Sequence, residues 1–287
     1  MMRNKFSMEP SQNTDAVLKE IVALCRSARA QHPTEIELEI RLGSCSDRSF
    51  CPGVPQCVFQ QLQEDMSEDG RLAPQESWKE VVDYHYVGSD GLPVRTRVIC
   101  DSECMEIRKE HTRKVVLGKA LVRGEQGSGD VARVILSHEV PIVDPPGLCV
   151  PTHIRIKQRR AFDDRRDDSV VWSYELSKTW SANSRSAVEH KQHMNEPIYE
   201  VECELVDQDG AYLHQLSDEQ VCESILVKLK ALLGKDMHAK LEVEREDVAL
   251  PQDVGGHGKA RARKRNRGTT RPASDSTRST RQGKREA

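Results

Sequence analysis

A chain of 287 residues, 37% hydrophobic and 31% charged, contains no segment near the ~18 consecutive apolar residues that a membrane helix needs. Nine cysteines without a CxxC pair exclude a disulfide scaffold and a standard zinc framework, and point to reduced thiols in the cytosol or nucleus. The net charge of -3 hides a division: from Gly255 onward eleven Lys or Arg against Asp275 and Glu286 give +9, which leaves -12 for residues 1–254.

In chain order, residues 1–13 read as a flexible N-terminus, and 14–250 as one folded domain. "TDAVLKEIVALCRSARAQ" is predicted as a helix, with Thr14 as its cap and Val17, Ile21, Val22 and Leu24 on one side. It leads into "IELEIRLGS", where Ile36, Leu38, Ile40 and Leu42 alternate with Glu37, Glu39 and Arg41. In an extended strand Glu37 and Glu39 share a face, roughly 7 Å apart. A second helix covers "PQCVFQQLQEDMSED". Strands follow over 78–87, 94–99, 105–109, 115–122, 132–141, 152–162, 170–179 and 198–206. "SDEQVCESILVKLKALLG" carries Val221, Ile225, Leu229 and Leu232 at helical spacing and is expected to pack outside the sheet. Residues 251–287 bury too little to fold and read as a disordered basic tail, with "KARARKR" suited to nuclear localisation or nucleic-acid binding.

The strand at 198–206 repeats the acidic alternation, with Glu200, Glu202 and Glu204 on one face against Val201, Cys203 and Leu205. Like charges along facing strands destabilise a sheet unless a cation lies between them, and carboxylates suit hard cations. Between the two acidic strands lie basic ones. Arg155, Lys157 and Arg159 share a face, as do Arg95 and Arg97, while Arg108, Lys109, Arg113 and Lys114 follow nearby. Guanidinium forks and ammonium groups are what phosphate oxygens require. A barrel with a charged interior would explain the low apolar content. A third alternation, Glu242, Glu244 and Glu246, begins close to the tail and is read as a solvated extended segment. Cys45, Cys51 and Cys57, and His190 with His193, are read as thiols and surface histidines.

Taken together, these motifs resemble the metal-dependent RNA 5'-triphosphatases of mRNA capping, of the fungal, protozoan and viral type, within the triphosphate tunnel superfamily. The resemblance spans residues 35–234. It implies a mainly β (α+β) fold, an eight-stranded antiparallel β-barrel tunnel with flanking helices. "IELEIRLG" is similar to the family's first motif and "YEVECEL" to its last. By that resemblance Glu37, Glu39 and Glu204 are metal ligands, for Mg2+ or Mn2+, and Glu200 and Glu202 orient waters or basic side chains. "RVILSHEVPI" resembles the strand ending in Glu-x-Pro and nominates Glu139 to hold or activate the attacking water. "RIKQRRAF" resembles the basic strand, which gives Arg155, Lys157 and Arg159 to the phosphates. Arg97 and Lys109 match the remaining basic positions loosely, and Arg41 is expected to pair with the acids or the substrate. Where the family has Arg-x-Asp-x-Thr, this chain reads Ser173, Glu175 and Ser177, so the acid is kept as Glu175 and the arginine is missing.

The function implied is removal of the γ-phosphate from 5'-triphosphate RNA in the nucleus, the first step of capping, with the cytoplasm as the other compartment. No Lys-x-Asp-Gly motif occurs, so guanylyl transfer would come from a separate guanylyltransferase. The same site would serve a hydrolase of free nucleotides, inorganic triphosphate or polyphosphate. A non-catalytic RNA-binding barrel would have no use for paired glutamates.

Overall fold

The computed structural model describes residues 14–33, 35–46, 49–74, 78–88, 90–100, 105–123, 130–143, 150–166, 169–206, 215–233 and 243–244. In chain order these form α1 (Thr14–Gln31), β1 (Ile36–Ser46), β2 (Ser49–Pro52), α2 (Gln56–Glu68), β3 (Leu72–Pro74), β4 (Lys79–Val87), β5 (Pro93–Cys100) and β6 (Glu106–Arg123). Then come β7 (Asp130–Pro141), β8 (His153–Arg166), β9 (Ser169–Ala182), α3 (Arg185–His193), β10 (Ile198–Leu205), α4 (Asp218–Leu233) and β11 (Val243–Glu244). All of them fall within one compact unit, Met1–Val248. The expected N-terminal segment and basic tail lie outside the described residues, as do Glu242 and Glu246.

Eight strands pair in the order β10-β9-β8-β4-β5-β6-β7-β1, and β1 pairs back onto β10, which closes an antiparallel barrel. Closure removes the sheet edges that an open sheet would leave unpaired. The short strands β2, β3 and β11 extend β1, β8 and β6.

The apolar core lies outside this barrel. Leu38, Ile40 and Leu42 of β1, Leu136 of β7, Trp172 and Leu176 of β9 and Val201 and Cys203 of β10 face outward and are buried. Against them α1 lays Val17, Leu18, Ile21, Val22, Cys25 and Ala28, a stripe one helical period wide. Helix α4 adds Val221, Cys222, Ile225, Leu229 and Leu232, so it packs outside the barrel as its spacing predicts. Trp172 Nε1 donates to Ser224 Oγ at 2.9 Å, and Lys228 of α4 pairs with Asp164 of β8. A second, smaller cluster seats Val188 of α3 on Val82, Ile154, Ile156 and Trp180. Ser184 caps that helix, its Oγ accepting from Ala187 N–H at 3.3 Å.

Two boundaries differ from expectation. The strands read at 105–109 and 115–122 are one strand, β6, of 18 residues. Its middle is polar on both faces, one toward the tunnel and one toward solvent, so the alternation that marks a strand is invisible there. The strand β2, the strand β3 and the helix α3 carry too few apolar residues to announce themselves.

Candidate functional site

With the apolar core packed on the outer face, period two turns the alternate residues inward, and most of those that line the cavity are charged. The enclosed cavity has a volume of about 620 Å³ and is lined by nine acidic and nine Lys or Arg side chains. Such a balance lets each charge be met by a partner, and most are.

Strands β1 and β10 form the acidic wall. Their register sets Glu39 opposite Glu204 and Arg41 opposite Glu202. Arg41 reaches Glu39 at 2.6 Å and Glu202 at 2.9 Å, so it pairs with the acids as expected. Lys114 of β6 lies 2.7 Å from Glu37, 3.4 Å from Glu39 and 3.2 Å from Glu139. Glu139 on β7 is also met by Arg95 at 2.9 Å.

The basic wall is β8, with β4 and β5 beside it. Arg155 donates to both oxygens of Glu200 at 2.5 and 2.6 Å, and Thr179 Oγ1 donates to Glu200 at 2.9 Å. Lys157 lies 3.8 Å from Glu200 and 3.9 Å from Glu202. Arg159 pairs with Glu175 at 2.8 Å. Arg97 donates from Nε and Nη2 to the two oxygens of Asp83, at 2.8 and 3.1 Å. Glu200 stands behind the cavity lining and, with Glu202, holds basic side chains in place.

Lys109 reaches only the rim. It is exposed and pairs in register with Val98, while Arg108 and Glu110 take the inward positions opposite Ile99 and Arg97. Lys114, Arg95 and Asp83 belong to the site although no motif nominated them. Lys114 and Arg95 had been visible only as members of basic runs, and Asp83 as a lone acid between Val82 and Tyr84.

Glu204 is different. No hydrogen bond or ion pair reaches it among the described residues. Its register partner on β9 is Ser173, whose hydroxyl donates to Asp163 at 3.1 Å, so the missing arginine leaves no cation there. Burial, with the charges of Glu175, Glu39 and Glu139, pushes the Glu204 carboxyl up to about 8. Burial likewise raises Glu37, against Lys114, with Glu204 and Glu139 adding to the rise. Burial also works to raise Glu139, but the hydrogen bond from Glu37 and the charges of Arg95 and Lys114 prevail and hold it at about 2. Glu37, Glu39 and Glu204 line one side of the cavity; Lys114 and Arg41 meet the first two, and Glu204, without a bonded cation among the described residues, is the surplus negative charge of this wall. By donor type these three carboxylates suit a hard divalent cation, which takes carboxylate oxygens and keeps waters.

The closed barrel, with its charged interior and acidic wall, is a tunnel. The structure of the S. pombe Pct1 RNA triphosphatase superimposes with a TM-score of 0.54 at 15% identity, over 81% of this chain and 98% of that one. The same protein in complex with the Spt5 CTD matches with a TM-score of 0.54 at 16% identity and the same coverage. The Mimivirus capping enzyme triphosphatase gives 0.48 at 13% identity, over 76% of this chain and 97% of its own. The Pct1 structures thus share the fold of this chain, the eight-stranded tunnel that the acidic and basic strand motifs led us to expect. No protein-family model and no curated protein sequence matches the chain.

Proposed function

We propose that the protein hydrolyses the γ-phosphate from the 5'-triphosphate end of RNA, in the manner of a metal-dependent capping triphosphatase. The observation that carries this reading is the meeting, in one cavity, of Glu37, Glu39 and the unpaired Glu204 with the basic wall of Arg155, Lys157 and Arg159. Phosphoryl transfer is largely a matter of positioning and electrostatic stabilisation. A Mg2+ or Mn2+ ion on the three carboxylates supplies positive charge at the γ-phosphate when bound. Arg155, Lys157 and Arg159 hold the phosphate oxygens, and each is aimed by an acid that keeps it from turning away. A guanidinium has five N–H donors, so pairing with Glu175 still leaves Arg159 donors for a phosphate. Glu139, held at about 2, is a weak base, and its role is to orient the attacking water by hydrogen bonding. Free nucleotides or inorganic triphosphate would fit the same site, and the +9 tail is the feature that favours RNA.

Phosphate release from γ-labelled RNA and from free ATP, with and without Mg2+ or Mn2+, tests this. Glu37→Ala, Glu39→Ala and Glu204→Ala should each lower kcat by more than about 100-fold, since losing even an outer partner of a metal costs about 10- to 100-fold. Glu244→Ala, on β11 beside Lys119, is the control from the third acidic alternation and should retain activity. Near-normal turnover in any two of the three tunnel variants would overturn the assignment, and a preference for ATP over RNA would assign the site to nucleotides.

A further inference from the structure

At the rim of the tunnel, where the end of α1 meets β1 and β7, three metal-ligating side chains converge; Glu35 also lines the cavity, but none of the three belongs to the phosphate- or metal-binding set proposed above. His32 and Glu35 sit on the turn between α1 and β1, and His138 arrives from β7, 103 residues later. Glu35 Oε2 lies 2.6 Å from His138 Nε2 and 3.6 Å from His32 Nδ1. The two imidazole rings lean together with centroids 4.2 Å apart. One ligand atom from each residue falls within 4.8 Å of the others. A tetrahedral ion with bonds of about 2.0–2.1 Å needs ligand atoms about 3.3 Å apart, so small rotations of the half-buried His32 and Glu35 side chains would complete the shell.

We infer that His32, Glu35 and His138 form a second cation site, selective for a borderline transition metal of the zinc class. Two imidazole nitrogens and one carboxylate suit zinc, cobalt or nickel, whereas the oxygen-only tunnel site suits Mg2+ or Mn2+. Three protein ligands are what an open zinc site uses, with water in the fourth position. The ring of His138 is buried, while His32 and Glu35 are each about one-third exposed, which gives an ion a rigid anchor on one side and an entry path on the other. The turn is already braced, since His32 N–H donates to Ala28 O at 2.9 Å and Glu139 N–H donates to Glu35 O at 2.7 Å. Bound here, an ion would tie the end of α1 to the start of β1, which carries Glu37, and to the end of β7, which carries Glu139. The site stands on its own geometry and holds whatever substrate the tunnel takes.

The probe is Zn2+ itself, with Co2+ as an optical reporter. Full-length protein stripped of metal is dialysed against Zn2+ in excess Mg2+, which occupies the carboxylate site. We expect one zinc per chain, a Tm raised by zinc as binding to the folded state requires, and strong visible Co2+ bands of a low-coordinate nitrogen-containing shell. His32→Ala, on an exposed turn, and His138→Gln, which keeps a polar group of similar reach, should each weaken zinc by more than about 100-fold. Glu39→Gln should leave zinc binding unchanged. Zinc retained by both histidine variants, zinc lost only in Glu39→Gln, or no zinc bound at all would overturn the inference.

Discussion

Glu204 faces Glu39 across β1 and β10 with no cation of its own, and its titration has a thermodynamic consequence. A carboxyl that moves from an ordinary value near 4.5 to about 8 on folding binds a proton in the native state that the unfolded chain has released. Stability then falls as pH rises, because the native state holds more protons than the unfolded one across that window. The contribution is complete below the unfolded value and lost by the time pH passes the folded one. Metal-free protein should therefore show a Tm that declines from pH 5 to pH 8, and Glu204→Gln should flatten that decline. Added Mg2+ should restore the Tm most at the alkaline end of this range, where it competes with the fewest protons for the carboxylates. Thermal melts across this range, with and without the ion, are the check, and a flat wild-type profile would remove the case for surplus negative charge. At this scale the sequence was legible where spacing alone set a side chain's direction, as with Glu37, Glu39 and Glu204. It was silent where partners come from distant strands. Nothing in the neighbourhood of Lys114 says that it will bridge Glu37, Glu39 and Glu139, and nothing local joins His138 to His32 and Glu35.

At the scale of elements, β1 must carry its acids inward and end cleanly. Gly43 marks the point where β2 folds back over it. A Cβ at Gly43 would lie 2.3 Å from Cys51 O and 2.7 Å from the ring of Phe50, and Phe50 is itself fixed under Arg133, whose guanidinium lies 4.3 Å from the ring centroid. A backbone oxygen cannot swing aside as a flexible side chain would. Gly43→Ala should thus cost about 1–3 kcal/mol by overpacking, seen as a lower urea midpoint, with kcat falling as well if the shift propagates to Glu39. An unchanged midpoint would mean that β2 peels away freely. The elements legible in the sequence were those with one apolar and one polar face: α1, α4, β1 and β10. Those that failed to show were polar on both sides, the middle of β6 most clearly, or short, such as β2 and α3, whose only fully buried side chain is Val188. Tertiary contact makes such segments regular, and a single sequence does not record it.

At the scale of the whole molecule, the barrel inverts the usual arrangement, with its apolar core between sheet and helices and its charges enclosed. That inversion accounts for 37% hydrophobic content in a chain able to close eight strands. It was inferable from composition and alternation together, while closure itself, β1 onto β10, rests on pairing that no local pattern states. The division of charge is a property of the chain as a whole: +9 from Gly255 onward, -12 before it. A segment this basic binds phosphate backbone without sequence preference, releasing counterions, so its contribution must weaken with salt. The tunnel would engage only the triphosphate end. Removing residues 255–287 should therefore leave kcat/KM for ATP unchanged at every ionic strength. On RNA, full-length protein should be the better enzyme at low salt, and its advantage should shrink as salt rises until the two curves meet. RNA curves that superimpose throughout would assign the basic segment to localisation or to a protein partner, and an equal loss on ATP and RNA would place it in the folded domain instead.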